Sequence, residues 1–77
     1  MSISVKFFAS LRETLGTPGT ELDAANINTA ADVWQAASNQ HEPPANMLVA
    51  INMDYASLDD AVRDGDEVAF FPPVTGG

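Results

Sequence analysis

The sequence contains no cysteine. This absence excludes disulfide bonds, thiolate zinc sites, cysteine-held iron–sulfur clusters and cysteine nucleophiles. Basic residues are also scarce, because only three lysines and arginines stand against eleven aspartates and glutamates, for a formal net charge of −8. Phosphate backbones repel such a chain, so we expect no nucleic-acid partner and favour a basic protein surface instead.

Long apolar segments are missing as well. No stretch approaches the length that spans a membrane, and residues 1–25 show no apolar run behind a basic start. We therefore expect no membrane contact, no signal peptide and a cytoplasmic location. The 77 residues allow one small domain, yet 45% of them are hydrophobic and 18% charged, which is typical of a globular chain.

The hydrophobic pattern predicts two helices and up to five strands. They are expected in this order: a strand at 3–9, a short helix from Ser10, a strand at 20–24, a helix from Thr29, a strand at 47–51, a short strand or irregular segment at 55–58, and a strand at 67–71. One substantial helix, with Ala30, Val33 and Trp34 on its apolar face, packed on a mixed sheet predicts an α+β roll.

Helix starts and stops follow from capping patterns. Ser10 and Glu13 have capping-box spacing, and Gly16 is a natural end for the helix that they begin. Thr29 and Asp32 have the same spacing before the second helix.

The chain offers few groups for chemistry. His41 is its only histidine, and a metal site needs further ligands that are missing here. The acidic residues Asp59, Asp60, Asp64, Asp66 and Glu67 lack the loop length and ligand order of a calcium site. Serines and threonines have no base beside them, and there is no glycine-rich phosphate loop. We expect no bound metal and no enzyme activity from the chain on its own.

The first and last strands each carry two consecutive phenylalanines. If Phe7 and Phe70 face the core, Phe8 and Phe71 face outward, because side chains alternate along a strand. Pairing of these strands would join the two outer rings into one patch. A joined aromatic patch favours a protein partner, and a cover supplied by the chain itself is the alternative.

The chain ends in a slim, uncharged segment. Its residues are Pro72, Pro73, Val74, Thr75, Gly76 and Gly77. The prolines end the strand, and six extended residues reach roughly 20 Å. Glycine lacks a Cβ, so the last two residues fit a channel too narrow for others. We expect a domain at 1–71 and a flexible tail at 72–77, with the Gly77 carboxylate as its only reactive group.

These features resemble the small subunit of molybdopterin synthase, the sulfur carrier subunit. The segment at 64–77, DGDEVAFFPPVTGG, closely resembles the C-terminus of that family. VKFFA at 5–9, followed by Arg12, Glu13 and Gly16, resembles its N-terminus, whereas 23–46 matches in pattern only. The resemblance implies a ubiquitin-like β-grasp roll, a mixed sheet of about five strands packed on one main helix, with the first and last strands as central neighbours.

The resemblance also implies a mechanism. An adenylating, E1-like activating enzyme uses ATP to convert the Gly77 carboxylate into an acyl-adenylate, and a sulfur donor turns this into a thiocarboxylate. The chain pairs with the large catalytic subunit, in a heterotetramer, and threads its tail into that subunit's pocket. There it donates sulfur to cyclic pyranopterin monophosphate, which forms the dithiolene of molybdopterin. The chain itself is non-catalytic and binds no cofactor.

By position, Phe8, Tyr55 and Phe71 match the family's hydrophobic contacts with the large subunit, although Tyr55 replaces a residue that is commonly aliphatic. Three other interpretations remain. A thiamine-type sulfur carrier shares the tail and the thiocarboxylate but not usually the FFPPVT run. A ubiquitin-like protein modifier would join Gly77 to lysines. A plain interaction module would carry the two terminal glycines incidentally.

Overall fold

The computed structural model describes residues 2–72. Its elements, in chain order, are β1 (Ser2–Phe7), α1 (Ser10–Leu15), β2 (Gly19–Asp23), α2 (Ala30–Ala37), β3 (Leu48–Ile51), β4 (Asp54–Ala56) and β5 (Glu67–Phe71). The strands form one sheet in the order β2-β1-β5-β3-β4. Only the β1–β5 pairing is parallel within this sheet, so the sheet is mixed. The predicted α+β roll is confirmed.

The central strand pair joins the two ends of the described chain. β1 and β5 run parallel, with Val5 opposite Val68 and Phe7 opposite Phe70. All four of these side chains lie in the core, and each is at most 2% exposed. The predicted pairing of the first and last strands is therefore confirmed, and so is the side of each strand that faces the core.

Trp34 is the centre of the core. Its ring packs edge-on against Phe7, with centroids 5.9 Å apart, and against Phe70, with centroids 5.1 Å apart. Its Nε1–H donates to the carbonyl oxygen of His41 at 2.7 Å, so the one polar atom of the indole is satisfied although the ring is buried. The expected apolar face of α2 is confirmed, because Ala30 and Val33 are fully buried beside Trp34.

The start of α2 is held by the predicted capping box. Thr29 Oγ1 accepts the backbone N–H of Asp32 at 3.3 Å, and the Asp32 carboxylate accepts the N–H groups of Thr29 at 3.1 Å and Asn28 at 2.9 Å. The N–H groups of Ala30 and Ala31 donate to carbonyl oxygens of the segment between β4 and β5. Every early N–H named here thus has a partner, which positions the helix on the sheet.

The predicted capping box of α1 is wrong. Ser10 is the first residue inside the helix, and the capping position falls on Ala9, which makes no side-chain capping bond. The chain leaves β1 through a tight turn that puts Ala9 at φ 53° and ψ −130°, so Ser10 enters the helix too late to cap it. The predicted stop is confirmed, since Gly16 has φ 74° and donates its N–H to the Arg12 carbonyl at 3.0 Å.

Four of the predicted strands shift by one or two residues at their ends. β1 runs from Ser2 to Phe7 instead of 3–9, β2 begins at Gly19 and ends at Asp23, β3 begins at Leu48, and the segment expected at 55–58 is the strand Asp54–Ala56. Each shift follows the partner strand, because a strand ends where its ladder of hydrogen bonds ends rather than where its apolar pattern does.

Gly19 lies against the backbone of β1, with Lys6 as its partner in the strand register. A Cβ at this position would overlap the carbonyl oxygen of Val5, which is backbone and cannot move aside. We expect Gly19→Ala to lower the free energy of unfolding by about 2 kcal/mol or more in urea denaturation.

The matched control is Gly65→Ala. Gly65 has φ +90° and open space around the added Cβ, so this change carries backbone strain alone, about 1 kcal/mol. A Gly19→Ala protein that is as stable as the Gly65→Ala protein would contradict the overlap.

The capping box also makes stability depend on pH. Backbone hydrogen bonds from Asn28 and Thr29 lower the pKa of Asp32. The ionised Asp32 carboxylate therefore stabilises the folded state at any pH above the pKa of an aspartate in the unfolded chain. This stabilisation is lost as the pH falls through the lowered pKa of the folded state. We expect wild type to exceed Asp32→Asn in stability by a constant margin above about pH 5, and the margin to shrink below about pH 4. Urea denaturation across this range measures it, and a margin that grows in acid would contradict the assignment.

Candidate functional site

The outer face of the sheet carries the predicted aromatic patch. Phe8 and Phe71 stack with ring centroids 4.8 Å apart and planes 7° from parallel. Phe8 is 41% exposed and Phe71 is half-buried beneath it. Each follows a phenylalanine that points into the core, so the parallel register of β1 and β5 brings the outer rings together. The expectation that strand pairing joins these two rings is confirmed.

A row of four side chains crosses the sheet next to this pair. The strand registers set Lys6 opposite Ala69, Ala69 opposite Ala50, and Ala50 opposite Tyr55. The two alanines in the middle are small, so the surface sinks between their taller neighbours into a depression of about 340 Å³. We call this depression the trough, with Ala50 and Ala69 as its floor.

The trough has walls of different character. The Phe8–Phe71 pair lies at one side, and Tyr55 and Met53 line another, 82% and 90% exposed respectively. Lys6 and Glu67 also line the trough, and Lys6 Nζ lies 3.1 Å from Glu67 Oε2. Both partners of this ion pair are exposed, so it stabilises the fold by less than about 1 kcal/mol. The face is therefore mainly apolar, with one charged edge.

The predicted tail begins beside the aromatic pair. β5 ends at Phe71, and Pro72 follows it directly. The predicted tail residues Pro73, Val74, Thr75, Gly76 and Gly77 lie outside the described residues, and the division of the chain at residue 71 stays a prediction. Phe71 lines the trough, whereas Pro72 lines a different depression together with Leu11 and His41.

The acidic residues serve the turns. Asp60 accepts the N–H of Ser57 at 2.8 Å, and Asp66 accepts that of Arg63 at 2.8 Å. The hydrogen bond from the Asn52 side chain is the main cause of a lowered pKa at Asp66. Within residues 2–72, no three histidine, cysteine, aspartate or glutamate side chains group as a metal site would require.

His41 belongs to the loop that follows α2. Its Nδ1 lies 2.7 Å from the carbonyl oxygen of Ser38, and its own carbonyl accepts the Trp34 indole N–H. This histidine therefore holds its loop against the core. No helix in the described part of the chain combines the length and apolar character needed to cross a membrane.

Sequence reasoning missed Met53 and the alanine floor. Met53 lies in the two-residue turn between β3 and β4 and lines the trough. One signal could have found it, because an apolar residue occupies a hairpin position at which glycine is favoured. The alanine floor had a weaker signal, because the run at 47–51 is apolar on both alternations, which is typical of a strand covered on both sides or covered at one edge by a partner.

Comparisons with known proteins agree on one lineage. A model of the ThiS family matches residues 5–77. The molybdopterin synthase sulfur carrier subunit of Escherichia coli is 44% identical over 81 residues, which cover 97% of this chain and 99% of that protein.

Solved structures share the fold. The crystal structure of SAMP1 from Haloferax volcanii superposes with a TM-score of 0.81 at 31% identity, covering all of both chains. A complex of subunits 1 and 2 of the molybdopterin-converting factor from Helicobacter pylori contains a chain with a TM-score of 0.65 at 22% identity, again over the full length of both. The expected ubiquitin-like β-grasp fold is confirmed by these neighbours.

Proposed function

This chain belongs to the ThiS family, and from that premise we propose that it is the sulfur carrier subunit of a molybdopterin synthase. It is homologous over nearly its whole length to a protein of that name. The observation that carries the proposal is the exposed apolar face beside Pro72. A carrier needs a docking surface next to the segment whose end it delivers to the partner. The Phe8–Phe71 pair lies directly before that segment.

The proposed cargo site is the Gly77 carboxylate. A carboxylate is a poor electrophile, so one of its oxygens first attacks the α-phosphorus of ATP on the activating enzyme, and pyrophosphate leaves. A donor of sulfide-level sulfur then attacks the acyl carbon, AMP leaves and a thiocarboxylate remains. In the large subunit the thiocarboxylate sulfur bonds to a carbon of cyclic pyranopterin monophosphate as that carbon's bond to oxygen breaks. Water then cleaves the acyl–sulfur bond, which leaves the sulfur on the pterin and restores the Gly77 carboxylate.

The side chains of the described residues suit a carrier better than a catalyst. Hydrogen bonds in a helix cap and in a turn lower the pKa of Asp32 and of Asp66, respectively. Neither lines the trough. The acid–base and anion-binding groups would then come from the large subunit. The pocket of that subunit would receive the slim tail of this chain, including Val74, Thr75 and Gly76.

The proposed contact with the large subunit is made by Phe8, Tyr55 and Phe71. All three line the trough, so one partner surface reaches them together. The net charge of −8 favours basic surfaces on both the activating enzyme and the large subunit, since opposite charge speeds encounter. A heterotetramer with two copies of each subunit is the assembly expected from the family.

The cargo step is tested by the intact mass of the protein. After incubation with its activating enzyme, ATP and a sulfur source, we expect a gain equal to the replacement of one oxygen by sulfur. A protein lacking Gly77 should fold as wild type does and show no gain. An unchanged mass, with the activating enzyme competent on another carrier, would overturn the proposal.

The docking step is tested by Phe71→Arg. A charged side chain on the half-exposed outer face leaves the core intact but removes the stacked pair and places a cation in an apolar contact. We expect pairing with the large subunit to weaken tenfold or more by titration calorimetry, at nearly unchanged stability. Gln35→Arg, which adds the same charge on the exposed side of α2, is the control. Equal effects of the two changes would contradict the docking face.

A second candidate is a protein modifier. The likeness to SAMP1 favours it, because small archaeal modifier protein 1 is 32% identical to 94% of this chain. The mass experiment separates the two functions when lysine-bearing proteins are added. An isopeptide between Gly77 and lysine would indicate the modifier, whereas a thiocarboxylate consumed by cyclic pyranopterin monophosphate would indicate the carrier.

A further inference from the structure

The β3–β4 hairpin turns through a residue with unfavourable backbone geometry. Ile51 and Asp54 are ladder partners, so the loop consists of Asn52 and Met53. Both have positive φ, 52° and 72°. This matches a type I′ turn, for which asparagine is favoured first and glycine second. Met53 therefore holds a left-handed conformation that disfavours any residue with a Cβ.

Met53 gains little from its own chain in return. Its side chain is 90% exposed, the most exposed of the large hydrophobic side chains within residues 2–72. Met53 thus goes against two local preferences. Left-handed backbone favours glycine, and an apolar side chain favours burial. Natural proteins keep such conflicts mainly at functional sites.

The turn is held firmly by the residue before Met53. The Asn52 N–H donates to the Glu67 carbonyl at 2.8 Å, its Nδ2 donates to Asp66 Oδ1 at 2.9 Å, and its Oδ1 accepts the Glu67 N–H at 3.0 Å. These bonds tie the hairpin to the start of β5. Met53 is therefore presented at the trough by a fixed turn and not by a loose loop.

The trough has room for a side chain from outside. Ala50 and Ala69 leave a depression of about 340 Å³ on a face whose other walls are mostly aromatic. Methionine has a flexible, polarizable side chain that adapts its shape to what it packs against. The exposed side chain of Met53, at the wall of the trough, can therefore pack over a group inserted from outside.

We propose that the large subunit inserts an apolar side chain into the trough and that Met53 packs over it as an anchor of the interface. This inference rests on the proposed function and extends its docking face. The occupant follows from continuity, because the trough adjoins the Phe8–Phe71 pair and the start of the tail. A partner that receives the tail lies over the same rim, so it covers the trough and the Phe8–Phe71 pair in a single complex.

The test is Met53→Gly, measured with the full chain and the large subunit from the same genome. Glycine suits the turn, so the midpoint of urea denaturation should rise. Loss of the anchor should weaken pairing about fivefold or more in titration calorimetry. A merely structural role would move stability and pairing in the same direction. Met53→Leu keeps the apolar bulk and should pair within about twofold of wild type.

Two further variants separate the turn from the trough. Gln40→Gly relieves a positive φ of 65° at an exposed site after α2, so it should gain stability without a change in pairing. Ala69→Leu fills the floor and should weaken pairing while the far-ultraviolet circular dichroism stays that of wild type.

The outcomes distinguish this inference from the proposed function. Unchanged pairing in Met53→Gly, with Phe71→Arg weakened, would overturn the anchor and leave the carrier function standing. A wild-type chain that fails to pair would overturn both. Self-association of the chain alone that Met53→Gly abolishes would assign the trough to a second copy and overturn the large subunit as its occupant.

Discussion

The parallel register of β1 and β5 is the constraint on which the other features depend. It sets Phe7 opposite Phe70, and alternation along the strands then sets Phe8 beside Phe71 on the other face. The inner pair contacts Trp34 and closes the core, while the outer pair forms the rim of the trough. A slip of one residue would move the core side chains to the surface and the side chains of the proposed docking face inside. The core and the proposed docking face therefore depend on one set of hydrogen bonds.

Much of this arrangement could be predicted because it rests on short-range patterns. Alternation assigned the faces of β1 and β5, and the spacing of Thr29 and Asp32 located the start of α2. Prediction failed at Ser10, where a left-handed turn at Ala9, demanded by the path from strand to helix, overrides the capping pattern. The trough was also missed, because it arises from neighbours on four different strands whose registers no local pattern contains.

The two faces of the sheet obey different physical rules. On the inner face the large side chains pack against one another, and the single indole N–H donates to a carbonyl oxygen. On the outer face small residues are covered by larger neighbours that stay exposed themselves, so apolar surface remains in water. Polar bonds hold this unfavourable surface in shape at its margins, notably those of Asn52. The surface proposed for docking is thus fixed in shape by hydrogen bonds at its edge.

The central location of β5 has a consequence for synthesis on the ribosome. Within residues 2–72, the strand that closes the core is the last element in chain order, and its partner β1 is the first. Contacts of such long sequence separation form late and slowly. A nascent chain stopped before Phe70 lacks the ring that packs on Trp34, and it also lacks everything that follows. A product terminated before Phe70 would therefore be unfolded and open to proteases, instead of persisting as a folded domain.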